Sequence, residues 1–200
     1  MTQGPYQAAI AAFDQANGAD PNRESHAGQD YPKELLYAQR MGKMQERFAP
    51  EATEAVRLAV RAQHIERWKI ARSDFPMDRQ GYLQWRTRLY QFHAETAGAL
   101  MRNAGYDEAM IERVMAIVSK KGLKVNPETQ QMEDIVALVF LEHYISDFAV
   151  RHPEYDEAKW LQIIHKTWQK MSPRAREFVL AGGIRLPPAL QPLIMKAVTA

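Results

Sequence analysis

Cysteine is absent from this 200-residue chain, which excludes disulfides, iron–sulfur clusters and thiolate-ligated zinc. Long apolar runs are absent too. No segment reaches the roughly 18 consecutive apolar residues of a membrane span, and the N-terminus lacks a basic stretch followed by an apolar one, so no membrane anchor and no signal peptide are expected. Charge of one sign is nearly balanced: 26 Lys and Arg against 24 Asp and Glu leave +2, so electrostatics alone points neither to nucleic acid nor to an anionic membrane. Strand-like alternation of any length is missing, as are Gly-rich phosphate loops, a Walker motif and a Ser–His–Asp arrangement. A soluble, cytoplasmic chain is expected. Its 46% hydrophobic residues, with four Trp, seven Phe and eight Tyr, suffice for one sizeable core.

Helical periodicity fills the chain instead. Pro5–Asn17 reads as a helix stopped by Gly18, and residues 18–29 read as a polar loop. Asp30 is expected to cap the next helix, and Ala49-Pro50-Glu51 to restart the pattern that runs on to Trp68. Asp78 caps a long helix over Arg79–Ala104, and Asp107 a helix over Glu108–Lys120 ended by Gly122. Asn126-Pro127 opens a helix ended by His152-Pro153. Asp156–Met171, Pro173–Ala181 and Pro187–Val198 follow. The fold class expected is all-α, with about seven to nine helices in a single-domain bundle.

Glu133–Phe148 (EDIVALVFLEHYISDF) is apolar nearly all round a helical wheel, as a buried helix is. Asp134 and Glu142 nevertheless fall within its apolar circumference, about 80° apart if the helix is regular. A buried carboxylate must be paired, protonated or metal-bound, because isolated burial of charge costs several kcal/mol or more, on the order of the penalty for any unpaired ion. His93 lies on the face of its helix that carries Tyr82, Leu89, Ala97 and Leu100, with Arg86 on the same face; such a histidine is more often a satisfied core residue than a ligand. His64 ends another helix. Imidazole and carboxylate form the ligand set for Zn, Mn, Fe or Mg where thiolates are absent.

Phe92-His93-Ala94-Glu95-Thr96-Ala97-Gly98-Ala99 and Arg57–Ile65 resemble elements of the HD-domain metal-dependent phosphohydrolase superfamily, in degenerate form. That resemblance implies an HD-like core over about residues 34–150, with the C-terminal helices of 155–200 packed on it. It matches His64 and His93 to metal ligands and puts Glu142 in place of a late Asp. Tyr37 stands where the first His belongs, and Ile65 replaces the Asp of His-Asp. A closer resemblance covers more of the chain. Pro32–Tyr37, Ala62–Trp68, Arg72–Pro76, Gly81–Arg86, His93–Glu95, Lys120–Lys124 and Glu133-Asp134 with Leu138–Glu142 are similar to blocks of domain-of-unknown-function family 4202, which supplies no function. Lys170-Met171-Ser172-Pro173-Arg174 resembles a signature loop of class I aminoacyl-tRNA synthetases. A synthetase is excluded, since the chain has neither a nucleotide-binding α/β pattern nor a His-x-Gly-His motif, and Ser172-Pro173 reads as a helix cap.

Two functions follow as expectations. In the first, the protein is a metal-dependent phosphohydrolase acting on a nucleotide or small phosphorylated molecule. His64, His93 and Glu142 hold one divalent ion (Mn, Mg, Zn or Fe), and Glu66 or Asp134 serves as the catalytic carboxylate. Arg67, Arg72 and Lys121 hold the phosphate, and Arg86 clamps substrate or neutralises a buried carboxylate. In the second, the same residues form a non-catalytic His–carboxylate–Arg network in a ligand- or partner-binding module. No membrane or nucleic-acid partner is expected. The Gly182–Ala200 tail packs either on its own domain or on a second copy in a homodimer.

Overall fold

A computed structural model describes residues 4–199; residues 1–3 and Ala200, the last residue of the tail, lie outside the described residues. Helix α1 (Pro5–Gly18) opens on a proline at its first turn, where the missing N–H has no intrahelical partner to lose. A two-stranded antiparallel hairpin follows, β1 (Arg23–His26) and β2 (Gln29–Pro32), with Arg23 opposite Pro32 and His26 opposite Gln29. This corrects the expected loop and the expected cap at Asp30, which lies inside β2. Ala27 and Gly28 both have positive φ, 51° and 77°, as a tight two-residue hairpin turn requires. The strands escape a search for alternation because they carry almost no apolar side chains. They are held from outside, by Glu24 paired with Arg40 of the next helix.

That helix, α2 (Lys33–Phe48), begins where the buried Asp20 carboxylate accepts the Glu34 N–H at 3.0 Å. Helix α3 (Glu54–Ala62) starts at Thr53, whose side chain accepts the Val56 N–H. This is three residues beyond Pro50, where the sequence pattern had placed the restart. With Ala55, Val56, Leu58, Ala59, Val60 and Ala62 buried, α3 is enclosed by α1, α2 and three helices that follow. These are α4 (Arg79–Asn103), α5 (Glu108–Val118) and α6 (Pro127–Val139). The caps expected at Asp78, Asp107 and Asn126 are made: each side chain accepts a backbone N–H of the first turn.

The stretch expected to be one continuous helix is interrupted. Helix α6 runs into a π turn over Phe140–Tyr144 before α7 (Ile145–Arg151) resumes. The π turn holds one residue too many for α geometry, so the helical phase changes there. Helices α8 (Glu157–Lys170), α9 (Pro173–Leu180) and α10 (Gln191–Thr199) complete the chain. Helix α10 packs on α8 with Ile194 and Ala197 buried, so the described part of the tail covers its own domain. The protein is all-α, 70% helical, with ten α-helices among the described residues and the one hairpin. No helix among these residues is long and apolar enough to cross a membrane.

Candidate functional site

Several elements close on one cavity of about 300 Å³. The first turns of α2 supply Lys33, Glu34 and Tyr37. The chain leaving α3 supplies Gln63, His64 and Arg67. Helix α6 and the π turn supply Val136, Phe140 and Tyr144. Helix α4 and the end of α5 contribute Arg86 and Lys120, and Arg151 closes the rim.

Two backbone positions beside this cavity are unusual. Glu66 and Lys120 adopt left-handed conformations at φ 50° and 59°, which cost a non-glycine residue about 1–2 kcal/mol. At Glu66 the turn is fixed by Asn17, whose side-chain oxygen accepts the Glu66 N–H at 3.0 Å. The turn sends the His64 and Arg67 side chains into the cavity. At Lys120 the conformation ends α5, with the Lys120 and Lys121 N–H groups returning to the Ile117 and Ala116 carbonyls. This αL cap turns Lys120 inward and leaves Lys121 exposed.

His64 is the centre of the polar wall. Its ring stacks on Tyr37 with centroids 4.1 Å apart and planes 17° from parallel, and its Nδ1 lies 3.3 Å from a Glu34 carboxylate oxygen. The Tyr37 hydroxyl donates to Gln63 at 2.7 Å. Burial pushes the Glu34 carboxyl up to about 7, against the opposing pull of Arg67 and Lys33. Burial first, and then the charges of Arg67, Lys120, Arg86 and Lys33, holds His64 well below the ordinary imidazole range. Near neutral pH, then, His64 is uncharged and Glu34 is near its titration midpoint.

The cations are braced rather than loose. Arg67 lies over the Trp85 ring, 4.7 Å from its centroid, and Trp85 donates its indole N–H to the Ile70 carbonyl at 3.0 Å. Arg86 donates to the Tyr90 hydroxyl, and Lys120 lies 5.5 Å from the centroid of the same ring while pairing with buried Glu133. These aromatic and carboxylate supports fix the positions of the charges before any ligand arrives.

Of the residues nominated from sequence, His64, Arg67 and Arg86 line this cavity. His93 stands directly behind it, its ring centroid 5.9 Å from that of His64. It is almost fully buried, makes a 2.7 Å hydrogen bond from Nδ1 to the Ile65 carbonyl, and has a buried Nε2 with no hydrogen-bond partner among the described residues.

The others lie elsewhere. Glu142 pairs with Arg47 at 2.9 Å and lines a separate cavity with His26, Arg40 and His143. Tyr144, two residues further on and about half a turn round, lines the His64 cavity instead. Asp134 is a structural anchor: it accepts the Ser172 N–H at 2.8 Å, the Ser172 hydroxyl at 2.6 Å and the Gln130 amide at 2.9 Å, tying α6 to the start of α9. The Ser172 hydroxyl also caps α9 by accepting the Ala175 N–H, so the Lys170–Arg174 segment is a helix start. Glu66 pairs with Lys69 at 2.7 Å. Arg72 donates to the Phe75 and Asp78 carbonyls and holds the loop before α4. Among the described residues no group of three or more His, Asp or Glu side chains is placed to hold a metal ion.

Sequence reasoning missed Glu34, Gln63, Lys33 and Arg151. Glu34 looked like an ordinary first-turn acid favourable to the helix dipole. Only its place in a block resembling family 4202 set it apart.

Comparison with curated proteins and with solved structures finds no match for the chain. Its sequence does match the family model described as domain of unknown function (DUF4202) over residues 7–194, a span that includes every cavity residue named above. The chain belongs to that family.

Proposed function

We propose that the protein binds a small phosphorylated molecule, such as a nucleotide or sugar phosphate, in the cavity around His64. One observation carries this: Lys33, Arg67, Arg86, Lys120 and Arg151 all line a single cavity to which Glu34 contributes the one lining carboxylate. Even with Lys120 partly neutralised by Glu133, the excess of positive charge is large. Phosphate oxygens answer such an excess, and the guanidinium groups offer them paired N–H donors. The volume, about 300 Å³, sits at the lower end of the range for small-molecule sites.

A second reading is phosphoester hydrolysis, favoured by the neutral His64 held against Glu34 in the same cavity. Such an imidazole can accept a proton from water while Arg67, Arg86 and Lys120 stabilise charge growing on the phosphoryl oxygens. Metal assistance by His64, His93 and Glu142, which the HD-domain resemblance implies, fits this donor set poorly. Glu142 faces another cavity, and the charges of Arg67, Lys120, Arg86 and Lys33 all bear on His64 where a divalent ion would sit. Hydrolysis is therefore derived without a metal step.

The test is calorimetric titration of the full chain with inorganic phosphate and with a panel of nucleotides and sugar phosphates, alongside Arg86→Gln and Lys120→Gln. Saturable binding weakened at least about tenfold by either substitution, the usual scale for a charge-assisted hydrogen bond, supports the proposal. Heats no larger than those of chloride, unaltered in the variants, would exclude it. Product assays on the same panel, with and without Mg or Mn, separate binding from hydrolysis.

A further inference from the structure

Resting on that reading, we infer that the ligand carries two anionic groups at opposite ends, a phosphate at the buried end of the cavity and a second anion at its rim. The cations do not form one cluster. Arg67, Arg86 and Lys120 share a framework of Trp85 and Tyr90 around His64 and form the inner set. Lys33 and Arg151 belong equally to an adjoining cavity of about 310 Å³, whose wall they share together with Tyr144. The two cavities are thus one groove with a waist, and Lys33, Tyr144 and Arg151 form the waist.

Charge sharpens the division. One phosphate dianion among Arg67, Arg86 and Lys120 is well matched there, since Glu133 already offsets part of the Lys120 charge. Lys33 and Arg151 then remain at the waist, where both line the two cavities. Of the two acids lining the adjoining cavity, Glu24 is bound by Arg40, which leaves Asp147 against Arg23, Lys33 and Arg151. Arg151 is exposed, and its Nε donates to the Asp147 backbone carbonyl at 3.1 Å. Two cations lining one cavity mouth are both stabilised by an anion within their reach. Between the two ends the lining is Tyr37, Val136, Phe140 and Tyr144, which suits an uncharged spacer such as an aliphatic chain or a ring. The second anion can be a phosphate or a carboxylate, since both present oxygens to a lysine and an arginine in the same way.

Calorimetry on the full chain with methylphosphonate, a series of α,ω-alkane bisphosphonates of increasing length, and the matching ω-carboxyalkylphosphonates tests this. The bisphosphonate-to-methylphosphonate affinity ratio should pass through a maximum at one chain length. There it should exceed about tenfold, well above the statistical gain of about twofold from having two ends. Arg151→Gln, at an exposed position, should collapse that ratio, whereas Arg86→Gln should weaken every probe. An equal gain from the carboxylates at the same length marks the outer group as any carboxylate or phosphate; a gain confined to bisphosphonates marks it as a phosphate. Two results are adverse and distinguishable. If methylphosphonate binds, but the ratio is flat with length and unmoved by Arg151→Gln, the two-anion inference falls while the phosphate site stands. If neither mono- nor bisphosphonates bind, both fall.

Discussion

A Glu34 carboxylate oxygen lies 3.3 Å from His64 Nδ1 in the wall of the cavity. The carboxyl titrates at about 7 and the imidazole well below its usual range, so across neutral pH Glu34 takes up or releases a proton while His64 stays uncharged. The first consequence concerns stability. Because Glu34 holds its proton more tightly when folded, with a value of about 7 against 4.5 for the free side chain, the folded state binds more protons between these values. Stability is therefore lost as pH rises from about 4.5 through 7. Glu34→Gln removes this loss. Relative to the wild type, the variant should gain about 2–3 kcal/mol between pH 5 and pH 8. Denaturant unfolding at the two pH values measures it, and parallel pH profiles for both proteins would contradict it.

Ligand affinity should follow the same proton. Protonation of Glu34 removes the one lining carboxylate, while His64 stays neutral among its neighbouring cations. Sulfate, which does not titrate in this range, should bind several-fold more tightly at pH 6 than at pH 8. In Glu34→Gln its affinity should be nearly level with pH. Titration by calorimetry at fixed ionic strength distinguishes this from general screening.

Asp134 is assigned to architecture. Asp134→Ala strands the Ser172 N–H and hydroxyl and frees the start of α9 from α6. A cost of about 2–4 kcal/mol is expected, with phosphate affinity at 15 °C unchanged in the fraction that remains folded. Loss of affinity without loss of stability would return Asp134 to the site.

Glu142 should likewise be silent at the His64 cavity. Glu142→Gln breaks the pair with a partly exposed Arg47, an interaction worth about 1 kcal/mol or less. Neither phosphate affinity nor metal content should follow. His64→Gln, by contrast, should lower affinity. A chelator that abolished phosphate binding to the wild type would overturn the separation of the two cavities.

Glu66 offers a backbone test. Its left-handed conformation favours glycine, so Glu66→Gly should relieve about 1 kcal/mol of strain, offset in part by loss of the Lys69 ion pair. A stability near or above that of the wild type, with ligand binding intact, is expected. A sharp loss of binding would instead make the Glu66 carboxylate part of the site.

Much of the fold was legible because helix caps are local. Asp78, Asp107, Asn126, Asp156 and Ser172 each cap the helix that the residues beside them announce. The hairpin was not legible, because its strands are polar and depend on contacts such as Glu24 with Arg40. Of the site, His64, Arg67 and Arg86 stood out as polar groups beside or upon apolar helix faces. Glu34 did not, because a first-turn acid is ordinary until the fold buries it. Glu142 was matched to the superfamily's late Asp by resemblance, and its pairing with Arg47 beside another cavity depends on contacts that no local pattern announces. Asp134 is a carboxylate that needs partners when buried, and it has them in Ser172 and Gln130.

The π turn at Phe140–Tyr144 also sets the angular position of everything after it. One surplus residue is the whole difference between this turn and a regular helix. Deleting any single residue there would rotate α7 by about 100° and draw it back by about 1.5 Å. Tyr144 and Arg151 would leave the waist of the groove, and the path from α7 to α8 would be redirected. Chain length across residues 140–144 is therefore a quantity that the groove cannot lose. A chain one residue shorter there would line this groove with different side chains.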